Sequence, residues 1–227
     1  MSEPLVITID GPAGAGKSTV AQKLASRLGL MYVDSGATYR AVALKVLESG
    51  IDPQDAPAVA SLIGATSVEV TDDHAPHVLV DGDDVTARLR TPEVTLAAAQ
   101  VSRLPEVRTK LIEIQRSFAR DRGVVMEGRD IGTVVFPQAQ LKIFLKADPE
   151  ERARRRLKQD SHDGREATLE KTAYEIGRRD QLDAERKISP LMPAPDAVEI
   201  DSTSLLADQV VDQILALARE RDLTERK

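Results

Sequence analysis

The chain alternates between short unbroken apolar runs and longer segments whose apolar residues recur every three or four positions. Leu5 to Asp10, Leu30 to Val33, Val124 to Met126, Leu141 to Leu145 and Ala197 to Ile200 are the short runs. Runs without polar alternation predict strands covered on both faces, as in a parallel sheet. Between them the helical period appears. Val20, Leu24 and Leu28 are spaced by four, and Gly29 follows as a stop. Ala41 to Leu47 reads as helix. Pro105 opens another, with Val107, Leu111, Ile114 and Phe118 as its buried stripe, Arg108 just off it and Gly123 ending it. Asp148-Pro149-Glu150-Glu151 is an N-cap, a first-position proline and an acidic first turn. A polar loop from Asp160 to Glu166 leads to a helix carrying Arg178, Arg179, Asp183 and Arg186, and Leu205 to Arg219 closes the chain. Strand, helix and strand in sequence give a βαβ unit, hence an α/β fold.

Residues 41 to 104 interrupt this alternation. Gly50 to Pro57 reads as a loop, and Ser67 to Val70 and His77 to Val80 alternate like hairpin strands with a turn at Asp81-Gly82. His74 and His77 lie in the intervening loop. Two histidines without a third ligand predict solvated side chains, not a metal site.

Composition narrows the function. A chain of 227 residues with net charge −6 suits one larger domain without a broad nucleic-acid-binding face. It has no cysteine, no charged-then-apolar leader and no apolar run of membrane-spanning length. A soluble, cytoplasmic protein is expected. Of 31 basic residues, 21 are Arg, the better fork for phosphate oxygens.

The chemistry starts at Gly11-Pro12-Ala13-Gly14-Ala15-Gly16-Lys17-Ser18-Thr19, between the first strand and the first helix. The spacing of its glycines and Gly-Lys-Ser is that of a phosphate-binding loop. Glycines let the backbone curl with its N–H groups inward. Lys17 reaches the β and γ phosphates, Ser18 offers a hydroxyl to Mg²⁺, and the helix presents its positive end. Asp34-Ser35-Gly36 and Arg40 follow the second strand, where parallel sheets bind ligands. Two readings stay open there. Asp34 and Ser35 cap a helix with Arg40 in solvent, or Ser35 and Arg40 hold a second substrate's phosphate. Glu127 closes the third apolar strand, a common place for a carboxylate serving Mg²⁺. Arg129 and Asp130 follow it, in a cleft or as a turn-closing pair. Arg152, Arg154, Arg155 and Arg156 crowd one helix. Arg179, Asp183 and Arg186 share a helical face, as anion contacts or as an ion-pair ladder.

These pieces predict a phosphoryl transferase, which needs cations at two polyanions and a closing lid against water. ITIDGPAGAGKST, DSGATYR, RTPEV with AAAQV, EGRDIGTVVFP and the RRDQLDAER-to-PL region together closely resemble the bacterial cytidylate kinases, over nearly the whole chain. The resemblance implies a three-layer phosphate-loop (P-loop NTPase) fold with a five-stranded parallel sheet. Its core would be 1–34, 105–151 and 190–227, with a nucleoside-monophosphate-binding insertion at 35–104 and a helical lid at 152–189. It implies transfer of the γ-phosphate of ATP to CMP or dCMP with Mg²⁺ held by Ser18 and Glu127. Lys17, Arg129, Arg155 and Arg156 would be the catalytic cations. Ser35, Arg40 and Arg129 would hold the CMP phosphate and pocket, Arg108 and Asp130 would read cytosine, and Arg179, Asp183 and Arg186 would contact ribose or phosphate. Small-molecule nucleotides are then the only partners, with no nucleic acid and no membrane, and a monomer is expected. One position departs: Ala99 stands where that family usually has Ser, which puts one base-directed hydrogen bond in doubt. Asp130 accepting from the cytosine amino group, and Arg108 donating to N3 or O2, would make UMP a poor substrate. The alternative is another small-molecule kinase with AMP, UMP or shikimate as acceptor. A GTP-binding switch is excluded because its guanine motif needs Asn, and the chain has none.

Overall fold

Val6–Asp10 (β1) is buried at every position, as its unbroken apolar run requires. The computed structural model describes residues 4–71, 76–120, 123–162, 167–186 and 188–223. β1 pairs in parallel with β6 (Val124–Gly128) on one side and β7 (Leu141–Lys146) on the other. β2 (Met31–Asp34) lies outside β6 and β8 (Val198–Asp201) outside β7, so the order is β2-β6-β1-β7-β8, all parallel. The five predicted strands are the five observed, and this is the α/β sheet expected.

One face is covered by α1 (Lys17–Leu28) and α8 (Ala207–Glu220). Val20, Leu24, Val210, Val211 and Ile214 pack there against Ile7, Ile9, Ile143 and Leu145. Gly29 ends α1 at φ 65, donating to the Ala25 carbonyl. Between β2 and β6 the chain builds a second apolar cluster around α2 (Ser35–Glu48), α3 (Ala56–Gly64) and α4 (Pro92–Val101). A three-stranded antiparallel sheet of β3 (Val68–Val70), β4 (Val78–Val80) and β5 (Asp83–Asp84) belongs to it.

Here the structure departs from the pattern. The turn at Asp81-Gly82, both at positive φ, joins β4 to the short β5 and is not the tip of the β3–β4 hairpin. α3 starts at the end of the stretch read as a loop and runs through residues to which the pattern assigned no element, with Asp55 accepting from the Ala58 N–H at 3.2 Å as its cap. His74 lies outside the described residues, while His77 Nδ1 is 2.7 Å from an Asp84 carboxylate oxygen. α5 (Pro105–Ser117) ends before Gly123, and its buried residues are Val107, Arg108, Leu111 and Gln115. Arg108 therefore sits on the buried stripe and not beside it. Ile114 and Phe118 are only half-buried.

After β7, α6 (Pro149–His162) and α7 (Leu169–Ala184) form a hairpin over the carboxyl ends of the strands. α6 runs three residues into the stretch read as polar loop, and residues 163–166 of that loop lie outside the described ones. Among the described residues no helix is long and apolar enough to cross a membrane.

Asp10 ties these parts together. It ends β1, is 5% exposed, and accepts from the Ile131 N–H at 2.9 Å and the Gly132 N–H at 2.7 Å. Those amides open a π-helical turn, Ile131–Val135, directly after Arg129 and Asp130. A side chain at 132 would sit 2.8 Å from Thr8 Oγ1 and 3.3 Å from Asp10, so only glycine lets the turn come this close. Burial pushes the Asp10 carboxyl up to about 6, against the pull of the two amides. A native pKa above the unfolded value means the folded state binds this proton first. This group's share of stability then grows as pH falls from about 6 toward about 4. Between pH 7 and 5 the wild type should gain about 1 kcal/mol on Asp10→Asn in urea unfolding. A difference that stays flat would mean that the amides hold the carboxylate at its ordinary pKa.

Candidate active site

The loop between β1 and α1 is shaped by three glycines at positive φ, Gly11 (149), Gly14 (76) and Gly16 (92). A Cβ on Gly11 would lie 2.0 Å from the Leu145 carbonyl oxygen, and one on Gly14 2.8 Å from that of Arg152. Pro12, Ala13 and Ala15 fill the curl, and the buried Ala15 carbonyl accepts from Ser202 Oγ at 3.0 Å. No side chain caps α1 at Gly16, so its first N–H groups and positive end face the loop. Lys17 is buried with Nζ donating to the Pro12 carbonyl at 2.8 Å. Burial, then the nearby Arg129, push its pKa down to about 7, with Glu127 opposing. Ser18 and Thr19 stand exposed in the first turn.

Asp34 and Glu127 are register partners at the ends of β2 and β6. Burial raises both, and Asp34 raises Glu127 further, but the Arg40 guanidinium returns Asp34 below the usual carboxylate range. Asp34 accepts from Arg40 Nη2 at 2.6 Å and caps α2 through the Ala37 N–H at 3.2 Å. The reading of this segment as a cap with Arg40 in solvent therefore holds for Asp34 alone. Asp34 is the cap, Ser35 is a buried first residue of the helix, and Arg40 is only 18% exposed. A Cβ at Gly36 would crowd Asp34 at 3.0 Å and Arg40 at 3.1 Å, so glycine leaves room for the pair. Glu127 accepts from the Tyr32 hydroxyl at 3.0 Å and is hydrogen-bonded by Ser18. The Ser18 hydroxyl and the Glu127 carboxylate are hard oxygen donors. They suit an ion that keeps waters and takes phosphate oxygens, although no cluster of three acidic, His or Cys ligands occurs among the described residues.

Asp130 and Arg108 form a buried ion pair, with Arg108 Nη1 donating to the Ser102 carbonyl at 3.3 Å. The Tyr39 ring lies under Arg108 at 5.7 Å, and burial pushes its hydroxyl up to about 12. Arg108 Nε and Arg40 Nε are buried with no hydrogen-bond partner among the described residues. Ala99 is exposed on α4, and its carbonyl accepts from the Ser102 hydroxyl at 3.1 Å. Arg129 Nε donates to Asp183 at 2.9 Å, and Arg186 donates to the other oxygen of Asp183 at 2.5 Å. Arg179 is exposed on α7 beside Arg129, Arg40 and Arg156. Loss of water there, followed by the charge of Arg129, lowers its pKa to about 10, with Arg40 and Arg156 adding to the effect.

The remaining arginines divide. Arg156 pairs with Asp160 on α6 at 3.0 Å, close enough to Arg179 to be felt. Arg155 donates to Ser202 O at 2.6 Å, Ser202 Oγ at 3.1 Å and Glu151 at 3.0 Å, behind the loop. Lys17, Arg40, Arg129, Arg156 and Arg179 thus gather at the carboxyl ends of the strands. Sequence reasoning gave no individual role to Tyr32, Tyr39, Asp10, Arg152 or Asp180, although Arg152 and Asp180 lie on the two arginine-rich helices, Tyr39 lies within the segment singled out and Asp10 directly precedes the loop.

A family model described as cytidylate kinase matches residues 7–220. The cytidylate kinase of Geobacillus kaustophilus (strain HTA426) is 50% identical over 222 residues, covering 97% of this chain and 99% of that one. That of Symbiobacterium thermophilum is 50% identical over 217 residues, covering 95% and 96%. A solved structure of an uncharacterized protein from Eubacterium ventriosum shares the fold, with TM-score 0.51 at 11% identity over 98% of this chain and 99% of that one. With a family match across nearly the whole chain and relatives at half identity, the chain belongs to the cytidylate kinase family.

Proposed function

We propose that this cytoplasmic enzyme transfers the γ-phosphate of ATP to CMP or dCMP, releasing ADP and CDP or dCDP. The observation that carries the reading is the meeting of the glycine-rich loop with a second group of cations beside a buried Arg–carboxylate pair. One polyanion needs the loop. The second needs Arg40, Arg129 and Arg179, and a base with a donor next to an acceptor suits Asp130 and Arg108.

In this reading the loop amides and Lys17 hold the β and γ phosphates, with Arg155 fixing the loop from behind. Ser18 and Glu127 would hold Mg²⁺, which when bound would supply neutralisation of the donor's phosphate charge. Arg40 and Arg129, with Ser35 at the edge of Gly128, hold the acceptor phosphate so that one of its oxygens lies in line with the γ phosphorus. That oxygen forms the new P–O bond as the bond to the β-bridging oxygen breaks and ADP leaves. Lys17, Arg129 and Arg156 stabilise the spreading charge. Asp183 orients Arg129 and Arg186 and faces the ribose, and Arg179 completes the cation ring. Asp130 accepts from the cytosine amino group. Uracil would set its O4 against the same carboxylate.

A coupled ADP-release assay with CMP, dCMP, UMP, AMP and no acceptor tests the reading. CMP and dCMP should turn over at least about fivefold faster than UMP or AMP, since one mismatched buried polar group costs roughly 1–3 kcal/mol. Preference for AMP or UMP would overturn it.

Arg40→Ala and Arg129→Ala should each weaken CMP roughly ten- to a hundredfold, the worth of one hydrogen bond to a charged group, and leave ATP within about threefold. Titration of both nucleotides checks this. Arg40→Ala should also lower thermal stability, because Asp34 loses its partner. Equal losses for ATP and CMP would make both arginines structural.

Ala99→Ser adds a hydroxyl on the exposed side of α4, where nothing must move to admit it. A neutral hydrogen bond contributes about 0.5–1.5 kcal/mol, so the KM for CMP should fall roughly twofold to tenfold with the KM for ATP unchanged. An unchanged or higher KM for CMP would mean that position 99 does not face the base.

A further inference from the structure

The α6–α7 hairpin grips the phosphate loop through a contact that the reaction above does not use. The Ala13 N–H donates to Asp180 Oδ1 at 3.0 Å, and the Ala13 carbonyl accepts from Arg152 Nη1 at 3.0 Å. Arg152 and Asp180 pair with each other, closing a ring around one residue of the loop. The pair is largely buried, with side chains 9% and 17% exposed. Arg152 is itself anchored, its Nε donating to the Ala147 carbonyl at 3.1 Å just past β7. Its own backbone lies against Gly14, where no side chain would fit. Both polar groups of Ala13 are thus held by side chains from two different helices.

Asp180 sits next to Arg179 and one helical turn before Asp183. Positions three apart lie on the same side of a helix. Asp183 holds Arg129 and Arg186. A single turn of α7 therefore grips the phosphate loop at one end and the arginines facing the second anion at the other. The two ends cannot shift independently while the turn stays helical. From this geometry we infer that Asp180, paired with Arg152, is a positioning residue that couples occupation of the phosphate loop to the arrangement of Arg129, Arg179 and Arg186. The inference rests on the reading that ATP and CMP occupy these two places. It adds that each should tighten the other by the same factor, because coupling between two binding sites is reciprocal.

The test is titration calorimetry of CMP with and without a non-hydrolysable ATP analogue, and of the analogue with and without CMP. In the wild type the two coupling factors should agree, at roughly five- to fiftyfold. In Asp180→Ala the factor should fall to about one, while each nucleotide alone binds within about threefold of wild type. Arg152→Ala should do the same, and the double variant should be no worse than either, since the two act as one unit. Asp180→Asn keeps an acceptor for the Ala13 N–H but loses the charge, so it should keep part of the coupling. A merely structural role would lower thermal stability and weaken both nucleotides alike with the factor intact. An unchanged factor in Asp180→Ala, or additive single variants, would overturn the proposal. So would a wild type that binds both nucleotides with no coupling. A wild type that binds the ATP analogue but not CMP would instead sink the acceptor reading, and this proposal with it.

Discussion

Three carboxylates stand at or beside the ends of three neighbouring strands, the buried Asp10 on β1 and Glu127 on β6 and the half-buried Asp34 on β2, and each has to be satisfied where it stands. An unpartnered buried charge costs several kcal/mol, more than most single contacts supply. The solutions differ, and each one places something. Asp10 takes two backbone amides and thereby fixes the turn after Arg129 and Asp130. Asp34 takes a helix start and Arg40. Glu127 takes Tyr32 and Ser18, which ties the first turn of α1 to the middle of the sheet. The positions of the site's residues follow from these local debts of charge.

The opposite sign is in excess above them. Burial first, and then the neighbouring arginines, push Lys17 down to about 7 and Arg179 to about 10. A lysine this crowded approaches loss of its proton at neutral pH, whereas an arginine does not. That difference is a physical reason for the arginine surplus on the hairpin. Arginines that keep their charge also keep their carboxylate partners, Asp34, Asp183 and Asp160, when no anion is bound. Incoming phosphates relieve the repulsion, so the cleft attracts polyanions even though the chain as a whole is acidic.

What was legible in the sequence was local. The phosphate loop, the five strands and the acidic first turn of α6 are each written within a dozen residues. Their physics, positive φ at glycine, unbroken apolar runs and dipole pairing, needs no distant partner. The rest is held by contacts far apart along the chain. Ala13 meets Asp180 across 167 positions, and Asp10 meets Ile131 across 121. Arg108 was placed beside the stripe of α5 because an arginine there reads as polar. The structure buries it because Asp130, from another element, neutralises it. α3 was missed for a different reason. Val59 and Ile63 give it only one short apolar row, and its burial comes from α2 and α5.

Under the proposed function, the Arg108–Asp130 pair also bears on how a base would be distinguished. The two side chains already neutralise each other, with Arg108 further held by the Ser102 carbonyl and the Tyr39 ring. A base bound there, as proposed, would not assemble the pair but would meet a fixed acceptor beside a fixed donor. Arg108 Nε, buried and unpartnered, is a donor still to be satisfied. Rigidity makes the selection steep. A base with the wrong edge cannot be accommodated by turning the carboxylate away, because that would strand the guanidinium in a buried site. Discrimination then rests less on the strength of any one hydrogen bond to the right base than on the cost of breaking an ion pair to admit the wrong one.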